Sequence, residues 1–160
     1  MNDTNTPYAQ RIQPLRRLYE RILNICGKHV AVASIASGDQ TMFTGEDTAY
    51  PCAYLETIAD ATEGESKGFE TYGVVLNILD LLPANATEIQ TIELFDRCKQ
   101  VLDEIKMYLE QKHVFGTKNV GPAQYLLFTD GDVARVRAEF SVTVEKLITD
   151  RPDLSLIFRD

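Results

Sequence analysis

The chain is poor in the residues that usually carry chemistry. Its 160 residues include two histidines and three cysteines. His29 opens an extended run and His113 closes a helical one, and neither belongs to an HExxH pair. A lone histidine at an element boundary reads as structural. Cys26, Cys52 and Cys98 are odd in number, lie in apolar surroundings and lack CxxC spacing. They read as small buried hydrophobes in a reducing compartment, not as a disulfide frame or a zinc site. There is no GxSxG elbow, no Walker glycine loop and no GxGxxG fingerprint. Stretches 44–47 (TGED) and 129–132 (TDGD) lack the spaced oxygen ligands and final glutamate of a calcium loop. No pair of carboxylates is set among apolar residues that would raise a pKa for acid–base work. The reading is therefore of a protein that is not an enzyme, with no catalytic residue, cofactor or metal. An enzyme would have to draw on His29, His113 or Cys26.

Long apolar runs are missing too. No stretch of about 18 residues could span a membrane, and the polar start MNDTNTPYAQ is not a signal peptide. Synthesis inside the cell is expected. What the chain does have is the makings of one soluble domain, with 44% hydrophobic and 25% charged residues. The net charge is −8 and the isoelectric point about 4.8, which argues against a surface that grips nucleic acid or anionic lipid. That charge is uneven: residues 1–28 set Arg11, Arg16, Arg17, Arg21 and Lys28 against Asp3 and Glu20. A basic first element on an acidic body is either a solvated helix face or a docking surface for an acidic partner or a neighbouring copy.

The clearest pattern is residues 68–82, GFETYGVVLNILDLL, where period-two alternation predicts a long strand. Both of its faces are apolar from Val74 to Leu79, so it is expected at the centre of a sheet, with a helix on one side. Pro83 ends it. Ahead of it, residues 1–12 are polar and expected to be flexible. Pro14 suits the first position of a helix, and Leu15, Leu18, Ile22 and Ile25 form its apolar stripe, with Gly27 as its stop. Residues 29–37 and 50–57 read as two strands, Pro51 marking a sheet edge or the start of the second. Their separation predicts an antiparallel hairpin with a long tip. Met42 and Phe43 stand on that tip, two apolar residues on a polar loop that hint at contact with a partner. The acidic connection 60–65 follows, with Asp60, Glu63 and Glu65.

Thr87-Glu88-Ile89-Gln90 fits a capping box and opens a long helix. Columns Leu94/Val101/Tyr108, Phe95/Leu102/Leu109 and Cys98/Ile105 give it a face broad enough to lie across a sheet. A short strand at 124–129 and an Asp130-Gly131 turn lead to a last strand. There Ala134, Val136, Ala138, Phe140, Val142 and Val144 alternate with Arg135, Arg137, Glu139, Ser141, Thr143 and Glu145. Its polar face is expected to meet water or another subunit. The tail, 149–160, carries Leu154, Leu156, Ile157 and Phe158, which fold back on the domain or dock on a neighbour. The prediction is a single α+β domain over 13–148: an antiparallel sheet of about five strands with an N-terminal amphipathic helix and one long helix packed on it, in the order α-β-β-β-α-β-β.

Over residues 14–148 this pattern resembles the tail-terminator and tail-completion proteins of tailed bacteriophages, the head–tail connector proteins of the neck. The carriers are the amphipathic first helix and YPCAYLE at 50–56, matching a YPxxxxE-like strand. The acidic connection, FETYGVVLNILDL, the long helix, the short strand with its Asp-Gly turn and the terminal strand with its VTV run follow in order. The tail and the long 38–49 loop depart from the family pattern. The resemblance implies a structural virion protein, made in the host cytoplasm, that forms a homo-oligomeric ring of six or twelve copies. Such a ring joins the portal to other neck or tail proteins, and double-stranded DNA passes through it without specific binding; no membrane is involved. Interface candidates are Arg16, Arg17 and Arg21 against Glu63 and Glu65 of the next copy, with Met42, Phe43, Leu156 and Phe158 as apolar contacts. The alternative is a non-viral binding or regulatory module forming a small oligomer.

Overall fold

A computed structural model describes residues 14–39, 48–63, 68–112, 116–128 and 132–145, with backbone alone for Pro14 and Glu63. Over the described residues the chain is an α+β domain whose two helices, α1 (Pro14–Lys28) and α2 (Glu88–Lys112), pack on a mixed sheet of seven strands. In chain order the strands are β1 (Ser34–Gly38), β2 (Cys52–Glu56), β3 (Ala61–Glu63), β4 (Phe69–Leu81), β5 (Gly116–Asn119), β6 (Gln124–Phe128) and β7 (Val133–Glu145). The sheet order is β1-β2-β4-β7-β5; β3 also pairs with β4, and β6 with β7.

The expected central strand is β4, and its partner is β7. They run antiparallel in one unbroken register from Phe69↔Glu145 to Leu81↔Val133. Because side chains alternate across a strand, Tyr72, Val74, Leu76 and Ile78 share one face with Val136, Ala138, Phe140, Val142 and Val144. All of these belong to one buried cluster with Ala53 and Leu55 of β2. Leu18, Ile22, Ile25 and Cys26 of α1 and Cys98, Val101, Leu102, Ile105 and Leu109 of α2 complete it.

The helices start where the sequence predicts. Pro14 is the first residue of α1. At α2 the Thr87 N–H donates to Gln90 Oε1 (2.9 Å) and the Gln90 N–H to Thr87 Oγ1 (3.2 Å), a reciprocal cap. Two stripe residues fall outside the core: Leu15 and Tyr108 are exposed. Tyr108 instead faces the gap between α1 and α2. α1 also runs through Gly27 to Lys28; one glycine in a last turn costs only about 1 kcal/mol against alanine, and the lysine favours the helix C-terminus.

Two expectations about the first strands are corrected. β1 begins at Ser34, not His29, because residues 29–33 form a turn. The His29 carbonyl accepts from Val32 N–H (3.1 Å) and its Nδ1 from Ala31 N–H (3.1 Å). Nor are β1 and β2 a hairpin: they run parallel, Ser34↔Cys52 through Gly38↔Glu56. A parallel pair needs a crossover connection rather than a tight hairpin turn. The chain reaches β2 at Cys52, just after a cis Tyr50–Pro51 bond. β3 falls in the predicted acidic connection and β5 in a stretch with no predicted element, since three and four residues with no apolar alternation leave no strand signal. The Asp130-Gly131 turn, His113 and the tail 149–160 lie outside the described residues.

Candidate functional site

The second face of the sheet carries a polar network. Cys52, Tyr54 and Glu56 of β2, Asn77 and Leu79 of β4, and Arg135, Arg137 and Glu139 of β7 point there, opposite the helix-covered core. Register brings these groups together: Asn77 pairs with Tyr54 on one side and Arg137 on the other. Arg137 grips Glu56 with a two-pronged contact, Nε to Oε1 at 2.8 Å and Nη2 to Oε2 at 3.2 Å. Its Nη1 reaches Glu139 Oε1 at 2.6 Å. Arg135 donates to Asn77 Oδ1 (2.7 Å) and Glu56 Oε1 (3.1 Å), and the Asn77 amide donates to Glu56 Oε1 (3.1 Å) and the Tyr54 carbonyl (3.3 Å).

These groups are well shielded from water: Asn77 is 1% and Arg135 6% exposed. Burial pushes the Glu56 carboxyl up, but the Arg137 and Asn77 hydrogen bonds and both guanidinium charges outweigh it and hold it below the ordinary value. Arg135 is pulled down by burial against the opposing attraction of Glu56, and an arginine stays charged regardless. Two cations and two carboxylates satisfy one another, so the network is a cross-strand brace that leaves no group aimed at a ligand. Part of the β7 polar face, expected to meet water or another subunit, is instead buried in ion pairs with β2. Sequence alone could not show that Glu56 lies within reach of Arg137. The only hint was a glutamate ending one strand and arginines spaced by two on another.

The sheet edges differ more than its faces. Beyond β7 the edge is shared by β5 and β6. β5 reads GTKN, and the Lys118 charge protects it as charged residues protect exposed edges. β6 reads QYLLF and has no such guard: Tyr125 is 50%, Leu126 38% and Leu127 55% exposed. Tyr125 makes an edge-on contact with Phe95 of α2, ring centroids 5.4 Å apart. On the opposite edge, β1 exposes Ile35 (45%). Sequence reading placed a strand at β6 but did not see that it would be an edge.

The predicted interface residues are only partly in view. Arg16, Arg17 and Arg21 lie exposed on α1. Arg16 Nε bonds Glu20 Oε1 at 2.8 Å along the helix, while Arg17 and Arg21 flank a shallow groove of about 270 Å³ with Asn24 and Lys28. Glu63 belongs to β3, its side chain outside the described residues, as are Glu65, Met42, Phe43, Leu156 and Phe158.

A larger cleft of about 500 Å³ opens between the end of α1 and α2, lined by Ile25, His29, Glu104, Met107 and Tyr108 among others. His29 Nε2 lies 2.7 Å from Glu104 Oε2. With Nδ1 accepting from Ala31 N–H, Nε2 carries the proton and donates. Hydrogen bonds from Gln100 and His29 hold the Glu104 carboxyl below its ordinary value. Both ring nitrogens are engaged, so this pair ties the turn after α1 to the body of α2 and presents no free base. Cys26, Cys52 and Cys98 are buried free thiols; burial pushes Cys26 and Cys98 up to about 12, well away from a reactive thiolate. Among the described residues no cluster of His, Cys, Asp and Glu could hold a metal ion, and no helix is long and apolar enough to cross a membrane. Compared with known proteins, the chain matches no family model, and no curated protein matches it in sequence.

Proposed function

We propose that the protein is a structural subunit of a tailed-phage virion, assembling into a ring in the neck or tail that joins portal to tail and surrounds the DNA conduit. The observation that carries this reading is the β6 edge, whose tyrosine and two leucines are exposed on a strand that pairs only with β7 among the described strands. An unguarded apolar edge is a surface for association with another chain. The order of elements that resembles tail-terminator and tail-completion proteins gives the kind of assembly. The net charge of −8 suits a conduit wall, since phosphate attraction would slow the passage of DNA. In this reading Arg16, Arg17 and Arg21 face the acidic connection 60–65 of the adjacent copy.

The test is native mass spectrometry with negative-stain imaging across a concentration series. Closed rings with a central hole are expected. A protein that stays monomeric throughout, or closes as a compact dimer, overturns the reading. The dimer would favour a small-oligomer binding module, for which the His29–Glu104 cleft is the natural ligand site.

A further inference from the structure

The two outer edges of the described sheet are complementary. Among the described strands β1 pairs only with β2, and β6 only with β7. Each is five residues long. Their directions follow from the pairings: β6 opposes β7, β7 opposes β4, β4 opposes β2, and β2 runs with β1. β6 and β1 therefore point in opposite senses. Two copies placed side by side in the same orientation, as in any ring, would bring β6 of one against β1 of the next as an antiparallel pair.

The faces agree as well. Tyr125 and Leu127 stand opposite Val136 and Ala134 of β7, which puts them on the helix-bearing face. Ile35 is opposite Ala53, on that same face, with its Cδ1 3.8 Å from where a Cβ on Gly27 of α1 would lie. These are the large apolar side chains the two edges leave exposed on that face, and pairing would set them against one another across the joint. On the other face Leu126 would meet Ser34 and Ala36, which are small enough to receive it. The neighbouring edge strand β5 has no apolar side chain to offer.

We propose that β6 of one copy adds to β1 of a second copy as an antiparallel strand, fusing their sheets edge to edge. The occupant of the β6 edge is thus a second copy of this chain, held by backbone hydrogen bonds and by Tyr125 and Leu127 against Ile35. This rests on the self-association proposed above and specifies which surfaces meet.

The experiment uses single-cysteine additions to the full chain, in which the native thiols are buried. Leu126→Cys is mixed with Ala36→Cys, and separately with Ser34→Cys to cover a register shifted by two residues. Mild oxidation of a mixture should give a covalent dimer containing one of each variant, and neither variant alone should cross-link. Leu126→Lys should shift association to higher concentration while leaving circular dichroism and melting temperature unchanged. Rings that form with no disulfide in either mixture would overturn the edge pairing and leave the ring reading standing. Self-cross-linking of Leu126→Cys alone would overturn it in favour of β6 against β6. Absence of both association and disulfides would overturn the two proposals together.

Discussion

The two faces of the β4–β7 pair are built from the same two strands yet stabilised in opposite ways. On the covered face Val74, Leu76, Ile78, Val136 and Phe140 are buried beneath α1 and α2. Apolar burial there is non-directional and tolerates many arrangements. On the second face Leu79 and Val133 form only a small apolar patch with Tyr54, and the space beside it is filled by Glu56, Asn77, Arg135 and Arg137. Charges removed from water must be paired with good geometry. The second face therefore specifies register: a slip of β7 against β4 by one residue would turn Arg135 and Arg137 into the helix layer. One face supplies most of the stability, the other the uniqueness of the pairing.

The largest effect should come from the covered face. Phe140→Ala is expected to cost about 3–5 kcal/mol in chemical denaturation; a loss under about 1 kcal/mol would mean that the helices do not depend on this layer. Next comes Glu56→Gln, which leaves two shielded guanidinium groups short of a carboxylate. About 2–3 kcal/mol is expected near neutral pH, below the range for a fully buried pair because the Glu56 and Arg137 side chains each keep some exposure.

That difference should depend on pH. The folded Glu56 pKa lies below its ordinary value of 4.5, so its stabilisation is complete above the ordinary value and is lost as pH falls through the depressed one. Stability curves of wild type and Glu56→Gln should converge in acid; parallel curves would remove the network from the account. A smaller effect is expected at Thr143, whose Oγ1 lies 3.0 Å from that of Thr71 across the same face. Thr143→Ala should cost about 0.5–1 kcal/mol. Smallest should be Arg16→Ala, where the Glu20 pair is exposed on both sides and stability should stay within about 0.5 kcal/mol. A larger loss there would mean that surface charge on α1 matters to the fold as much as the brace does.

Legibility followed how local each signal was. β4 and β7 could be read because thirteen residues of alternation leave little choice, and α2 because its cap and its apolar face agree. β3 and β5 could not, since short polar strands form only where a neighbour offers a ladder. The parallel sense of β1 also lay beyond reach, because nothing within the two strands records which way the intervening chain returns. Among the candidate interface residues, Arg16, Arg17 and Arg21 are proposed from charge and resemblance, and the structure places them exposed on α1. In the sequence Glu56 stands out only as the end of a motif, and Tyr125 and Leu127 only as part of a strand, because burial and edge position belong to partners far away in sequence.

The amino-acid sequence by itself determined the α+β class, both helices, the long central strand and the alternation of the last one. It did so because periodicity and caps act within a few residues. Only the tertiary structure decided that β1 runs parallel to β2, that Glu56 is shared by Arg135 and Arg137, and that β6 is left as an apolar edge. Those outcomes depend on strand order, which is set by which surfaces can be buried together, and no window along the chain contains that information.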